Sequence, residues 1–190
     1  MELFLIPLLA GFAFNWASAF THGYAKCLGE RAGTWVSFIL RNILGIPVWV
    51  LGLAMALRES SRLLFTPSPA TNVLSWTLFF IGTIPMVWGL MGLGLRSFRP
   101  TVRDTLVKNG IYRCIRHPIY SGLLLDFLAL PLLRPSRSVW LAGALGWAYV
   151  FVQARLEELD LAQRMPAYRL YMQQVPRFFP RLGGKGGRTS

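Results

Sequence analysis

The chain is poor in acid. Across 190 residues, 8 Asp and Glu stand against 20 Lys and Arg, a formal net charge of +12. It has only two cysteines, Cys27 and Cys114, and neither sits in a CxxC pair or at a metal-ligand spacing. That excludes a disulfide scaffold and a structural zinc site, and both residues read as reduced thiols with no special role. No internal repeat is present. Two glycine-rich stretches fail as nucleotide loops. GLMGLG at Gly89–Gly94 lacks dinucleotide spacing, and small residues packing helix on helix account for it better. GGKGGRTS has no strand before it and no helix after it, so 183–190 reads as a flexible basic tail. The positive charge does not point to nucleic acid either. It lies between apolar runs, as charges that orient membrane helices do, and not in one basic domain.

What is abundant is apolar surface. Hydrophobic residues make up 54% of the chain and the mean hydropathy is +0.44, above the roughly 45–50% apolar content of soluble domains. Five apolar segments carry the excess: Leu3–Phe20, Trp35–Leu57, Val73–Leu95, Ile119–Leu133 and Ser138–Ala154. The last two reach only about 22 and 26 Å as helices, against a hydrocarbon thickness of about 30 Å. Four residues, Arg134–Arg137, separate them, so they are expected to form a tight antiparallel hairpin turning at Pro135. The reading is an all-α integral membrane protein of about five transmembrane helices, with the bilayer as its solvent. Ala17-Ser18-Ala19 resembles a signal-peptidase site, but the start carries Glu2 and no Lys or Arg, so the first segment is read as retained. Of the 20 Lys and Arg, 13 fall in 96–118 or after Ala154. The positive-inside bias places both, and the C-terminal segment, on the cytoplasmic face.

The chemistry gathers in the second half. In RCIRHPIYSGLLLDFL, Arg113, Arg116 and His117 stand directly before Pro118 and an apolar run. Proline favours the first turn of a helix, whose free N–H groups and partial positive charge make an anion site that Arg116 and His117 extend. Forty residues on come Glu157 and Glu158, with one helical hairpin between, so the acidic pair returns to the same membrane face. Adjacent helical positions diverge by about 100°, so one of the two faces the pocket, with a weak preference for Glu158. YRLYMQQVPRFFP then supplies Tyr168, Tyr171, Phe178 and Phe179 with Arg169 and Arg177. Such aromatics hold a flat base or a cation, or form an interfacial belt without a ligand.

These stretches resemble the isoprenylcysteine carboxyl methyltransferase and phospholipid methyltransferase superfamily. The matching pattern is G-x-Y-x-x-x-R-H-P-x-Y-x-G at Gly110–Gly122, a hairpin, E-E-x-x-L at Glu157–Leu161, then Y-x-x-Y at Tyr168–Tyr171 and V-P-R-x-x-P at Val175–Pro180. Met165-Pro166 departs from the Phe-Gly that many members carry before the first of those tyrosines. The resemblance covers about Leu95–Leu182. It implies S-adenosylmethionine as cofactor, bound by Tyr112, Arg116, His117, Pro118, Tyr120, Glu157, Glu158, Tyr168, Tyr171 and Arg177, with His117, Arg116 and Glu158 closest to the chemistry. The acceptor it implies is small or lipophilic: a carboxylate, a thiol or a lipid amine.

The organisation that follows is three helices without a matched motif over 1–95, a cofactor-binding half over 96–182, and the basic tail. The membrane is a bacterial inner membrane in the first instance and the endoplasmic reticulum otherwise. Two other readings stand beside this one: a sterol-reductase-like enzyme using NADPH, which at 190 residues is short of spans, and a non-catalytic protein keeping the scaffold. Asp126 fits none of the patterns. A charge that deep in a span is costly, and pairing with Arg41 of the second segment is the first account of it. The orientation has a direct test: Cys114 resists an impermeant thiol reagent in intact cells and reacts once the membrane is opened. Labelling of Cys114 in intact cells contradicts the orientation.

Overall fold

In lipid a backbone amide has no water to bond, so each crossing segment must satisfy its own N–H and C=O groups, which a helix does. The computed structural model describes residues 2–98, 101 and 103–181, and in them the chain is helical, with one isolated β-bridge, Leu63 to Ser136, and no strand. The expected tail over 183–190 lies outside the described residues. The helices are α1 (Leu5–Ser18), α2 (Thr21–Leu28), α3 (Glu30–Phe38), α4 (Ile46–Arg58), α5 (Pro69–Leu93), α6 (Pro118–Leu133), α7 (Arg137–Arg164) and α8 (Pro166–Gln174). A π-helical stretch, Ile39–Gly45, joins α3 to α4 without a break.

Three of these are long and apolar enough to cross a membrane: Glu30–Arg58, Pro69–Leu93 and Arg137–Arg164. The other two expected crossings, α1 and α6, are apolar but have only 14 and 16 residues, about 21 and 24 Å of helix. The expected loop at 21–34 is instead α2 and the first turn of α3, folded back on each other at Gly29, whose φ of +85° suits glycine. Phe4, just before α1, and Leu8 and Phe12 of α1 are fully buried in the main core, so the first segment is part of the bundle.

The π-helical stretch has a local cause. Pro47 has no N–H to give and its ring crowds the carbonyl four residues back, so the regular ladder cannot run through that turn. The turn widens, and Ile46 N–H bonds Arg41 O, five residues back. Such wide turns rotate the side chains upstream and often mark functional sites.

Helices meet where side chains are small. Ser75 of α5 donates to Ala129 O of α6 at 2.8 Å. A Cβ on Gly122 would lie 2.4 Å from Gly82 O, so the two backbones touch directly. Gly89 of the GLMGLG stretch sits in the same way against Pro118, as a packing role requires. The α6–α7 turn forms as expected and is pinned from outside by the α4–α5 connection: Leu64 N–H bonds Pro135 O at 2.7 Å and Arg137 N–H bonds Arg62 O at 2.9 Å.

Asp126 corrects one expectation. It lies against Gly82 at the α5–α6 contact, its Oδ1 buried without a partner, while Arg41 pairs with Glu157 at 2.7 Å. Asp126 lies on the face of α6 turned to α5, whereas the helix that carries Arg41 meets α6 elsewhere, through Trp49 and Phe127, which sequence spacing could not reveal. The close α5–α6 approach makes a prediction. Gly122→Ala must push the helices apart and destabilises by about 1–3 kcal/mol, read as a lower melting temperature in detergent. Gly23→Ala in α2, where the nearest atom to an added Cβ is 4.0 Å away, is neutral or slightly stabilising.

Candidate functional site

The site begins with a break. Pro118 fixes the start of α6 and leaves His117, at φ −124° and ψ 63°, outside the helix. That outside strand of chain has unspent N–H groups, and the C-terminal segment takes them: Arg116 N–H bonds Pro176 O at 2.9 Å and His117 N–H bonds Arg177 O at 3.0 Å. Ser121 Oγ adds a 2.6 Å bond to Phe178 O. The segment reaches this position because α7 ends at Met165, which Pro166 forces into extended geometry, and α8 then folds back. The Met165-Pro166 departure thus makes a one-residue hinge.

Glu158 secures the assembly. Its carboxylate accepts from Arg116 Nε and Nη2 at 3.2 and 2.8 Å, from Arg177 Nε and Nη2 at 3.0 and 2.5 Å, and faces His117 Nε2 at 3.2 Å. A carboxylate only accepts, so Nε2 carries the hydrogen and Nδ1 is left for another use. Arg116 Nη1 also donates to Met172 O and Val175 O, at 2.5 and 2.6 Å. The hydrogen bonds to Glu158 hold Arg177 above the ordinary guanidinium value.

In front of this lock lies a cavity of about 290 Å³, at the low end of the range for ligand sites. Arg116, His117, Pro118 and Tyr120 line it from α6 and the segment before it, Glu157 from α7, Tyr168 and Tyr171 from α8, and Tyr112 from the preceding 3₁₀ turn. Glu158 and Arg177 do not line it. The sequence preference is therefore reversed: Glu157 faces the cavity, and Glu158 and Arg177 stand behind its wall. This follows from the helix itself, since two consecutive residues cannot share a face.

Glu157 is set by three donors on one oxygen. Arg41 Nη2 and Tyr120 Oη each reach Oε1 at 2.7 Å, and Gln153 Nε2 reaches it at 3.0 Å. All four residues line the cavity. Arg41 and Gln153 escaped the sequence reading as site residues. Arg41 did carry a signal, a cation inside an apolar run, but it was assigned the wrong carboxylate. Two of the tyrosine hydroxyls are occupied, which leaves the rings to the cavity: Tyr171 Oη is spent on Tyr112 O at 2.6 Å, and Tyr112 Oη on Gly89 O at 3.1 Å. Burial pushes the Tyr171 phenol up to about 12 and those of Tyr112 and Tyr168 higher still, so all three stay neutral.

The lining is of two kinds. Asp104, Asp160 and Arg164 contribute charge, and Arg164 bonds Thr101 O and pairs with Asp160 at 3.0 Å. Ile46, Trp49 and Leu123 contribute apolar surface, with Tyr149, stacked on Phe12 at 4.2 Å. A polar group and an apolar one can thus be held in one chamber.

The phospholipid methyltransferase family model matches residues 70–165, from the start of α5 to the end of α7. The cobalt-zinc-cadmium resistance protein CzcN of Cupriavidus metallidurans is 30% identical over 124 residues, 65% of this chain and 55% of that protein. Methanethiol S-methyltransferase of Mycobacterium tuberculosis is 28% identical over 125 residues, 59% of this chain and 50% of that protein. The enzyme of the same name from a Pseudomonas species is 32% identical over 79 residues, 41% of this chain and 30% of that protein. The chain thus spans about half the length, or less, of these curated relatives. No solved structure matches it. With Tyr112, Arg116, His117, Pro118, Tyr120, Glu157, Tyr168 and Tyr171 of the motif set on one chamber and the family match running from α5 through α7, over half of the chain, the chain belongs to the phospholipid methyltransferase family.

Proposed function

We propose that this chain is an S-adenosylmethionine-dependent methyltransferase at the cytoplasmic face of a membrane, acting on a small or lipophilic acceptor: a carboxylate, a thiol or a lipid amine. In this reading α1 and α6 complete five crossings. One observation carries the proposal. Residues from four separated stretches, Arg41, Tyr112 to Tyr120, Glu157 and Tyr168 with Tyr171, converge on one chamber lined by both polar and apolar side chains. That is the arrangement a polar methyl donor and an oily or volatile acceptor would share.

The donor set fits the cofactor. Its adenine and sulfonium suit the ring faces of Tyr112, Tyr168 and Tyr171. Its ammonium or ribose hydroxyls suit Glu157, and its carboxylate suits the start of α6 beside Arg116 and His117. When bound, it supplies an electrophilic methyl group. The chain's own part is to hold two reactants in line and keep water out, which is where most of the acceleration of such a displacement arises. A carboxylate or thiolate needs no base. An amine must lose a proton, and His117 Nδ1, the nitrogen turned away from Glu158, is free to take it. The methanethiol enzymes among the relatives support a thiol as one acceptor class.

Glu158, Arg116 and Arg177 serve this site as a brace. Removing one member of a buried ionic cluster costs about 3–5 kcal/mol, while loss of a charge-assisted hydrogen bond in the chamber costs about 1.5–3 kcal/mol. The two roles separate experimentally. S-adenosylhomocysteine raises the melting temperature of the purified protein and NADPH does not; the converse supports the reductase reading, and no response to either removes the enzymatic one. Glu158→Gln lowers the melting temperature of the ligand-free protein sharply. Tyr120→Phe lowers it less, since Glu157 keeps Arg41 and Gln153, and weakens S-adenosylhomocysteine binding about tenfold or more. Equal effects of the two variants on both readouts would contradict the division.

A further inference from the structure

Gln153 has one amide group satisfied and one not. It is 1% exposed, lies on α7 one turn before Glu157, and lines the chamber. Its Nε2 donates to Glu157 Oε1, and its Oε1 is buried with no hydrogen-bond partner. The amide cannot be turned over to cure this, because its oxygen would then face a carboxylate that only accepts. Glu157 lies beside it. Arg41, Tyr120 and Gln153 all converge on its Oε1, and none of these bonds reaches Oε2. A buried acceptor without a donor, as Gln153 Oε1 is, is costly and rare and calls for an explanation.

We propose that Gln153 Oε1 and Glu157 Oε2 form an acceptor pair that receives a two-donor group of the bound methyl donor. The assignment rests on the cofactor reading above and adds Gln153 to it as a ligand-contacting, specificity-determining residue. Residues four apart on a helix share a face about 6 Å apart along its axis, so the two oxygens meet one ligand. The pair offers acceptors only, so it selects a group rich in N–H or O–H donors and rejects carboxylate and phosphate. The cofactor has two such groups, the ribose diol and the amino-acid ammonium. Arg41 enters as a positioning residue: with its charge on Oε1, Glu157 stays ionised and its second oxygen remains turned to the ligand.

The test is calorimetric binding of three probes to the wild type and to Gln153→Met, which keeps side-chain length and removes both amide groups. The probes are S-adenosylhomocysteine, its 2′,3′-dideoxy analogue and its deamino analogue. For S-adenosylhomocysteine the variant binds about tenfold more weakly. For one analogue, the one lacking the group that Gln153 receives, wild type and variant bind alike, and the identity of that analogue says which group it is. The same loss against all three probes means that Gln153 acts only by placing Glu157, and overturns the assignment. Unchanged S-adenosylhomocysteine binding by the variant overturns it too, while leaving the cofactor reading intact. Failure of the wild type to bind S-adenosylhomocysteine sinks both. If the methionine variant does not fold, Gln153→Asn keeps the amide but withdraws its oxygen by one methylene, and must show the same probe-dependent loss.

Discussion

The Glu158 carboxylate holds the second half of the molecule together. It is almost completely buried and is shared by Arg116, Arg177 and His117, which come from the loop before α6 and from the C-terminal segment. Burying charge is expensive, and the attraction between partners offsets that only when geometry is good and the remaining hydrogen-bonding groups are met. Here they are: both guanidinium forks address the carboxylate, and the spare Arg116 nitrogen caps the carbonyls of Met172 and Val175 at the end of α8. The chamber exists because this cluster folds α8 back over it.

The first half contributes more than its lack of a motif suggests. The π-helical turn before Pro47 carries Arg41 to the chamber, where its ion pair with Glu157 joins the unmatched helices to the matched ones. Side-chain exposure outside the core fits a lipid solvent. Val73, Phe80, Ile84 and Met91 of α5 all project outward, and α5 is held to α6 chiefly by close backbone contact through Gly82, Gly89 and Gly122. Water would not tolerate such a face, and lipid gives no reason to bury it.

Much of this was legible beforehand. Apolar runs and charge placement gave an all-helical membrane chain, and the α6–α7 hairpin turned where Arg134–Arg137 indicated. The ordered set around Arg116, His117 and Pro118 pointed to the family. What the sequence could not supply were relations across helices. That Glu157 and not Glu158 faces the chamber depends on the rotation of α7, which one-residue spacing leaves open. That Arg41 meets Glu157 and not Asp126 depends on which face of α6 each neighbouring helix covers. The α2–α3 fold-back was hidden because its residues are neither apolar nor periodic enough to mark helices apart from a loop. Gln153 carried no signal at all, since a glutamine inside an apolar run reads first as a tolerated polar residue.

Amide hydrogen exchange with and without S-adenosylhomocysteine tests the central claim most directly, that one ligand is enclosed between α6, α7, α8 and the Arg41 turn. The account predicts new protection at 39–46, 110–115, 119–121 and 166–175, while Arg116 and His117, whose N–H groups already bond Pro176 O and Arg177 O, change little. Protection confined to the α2–α3 fold-back or to the outer loop at 59–68, with these segments unaltered, would contradict it.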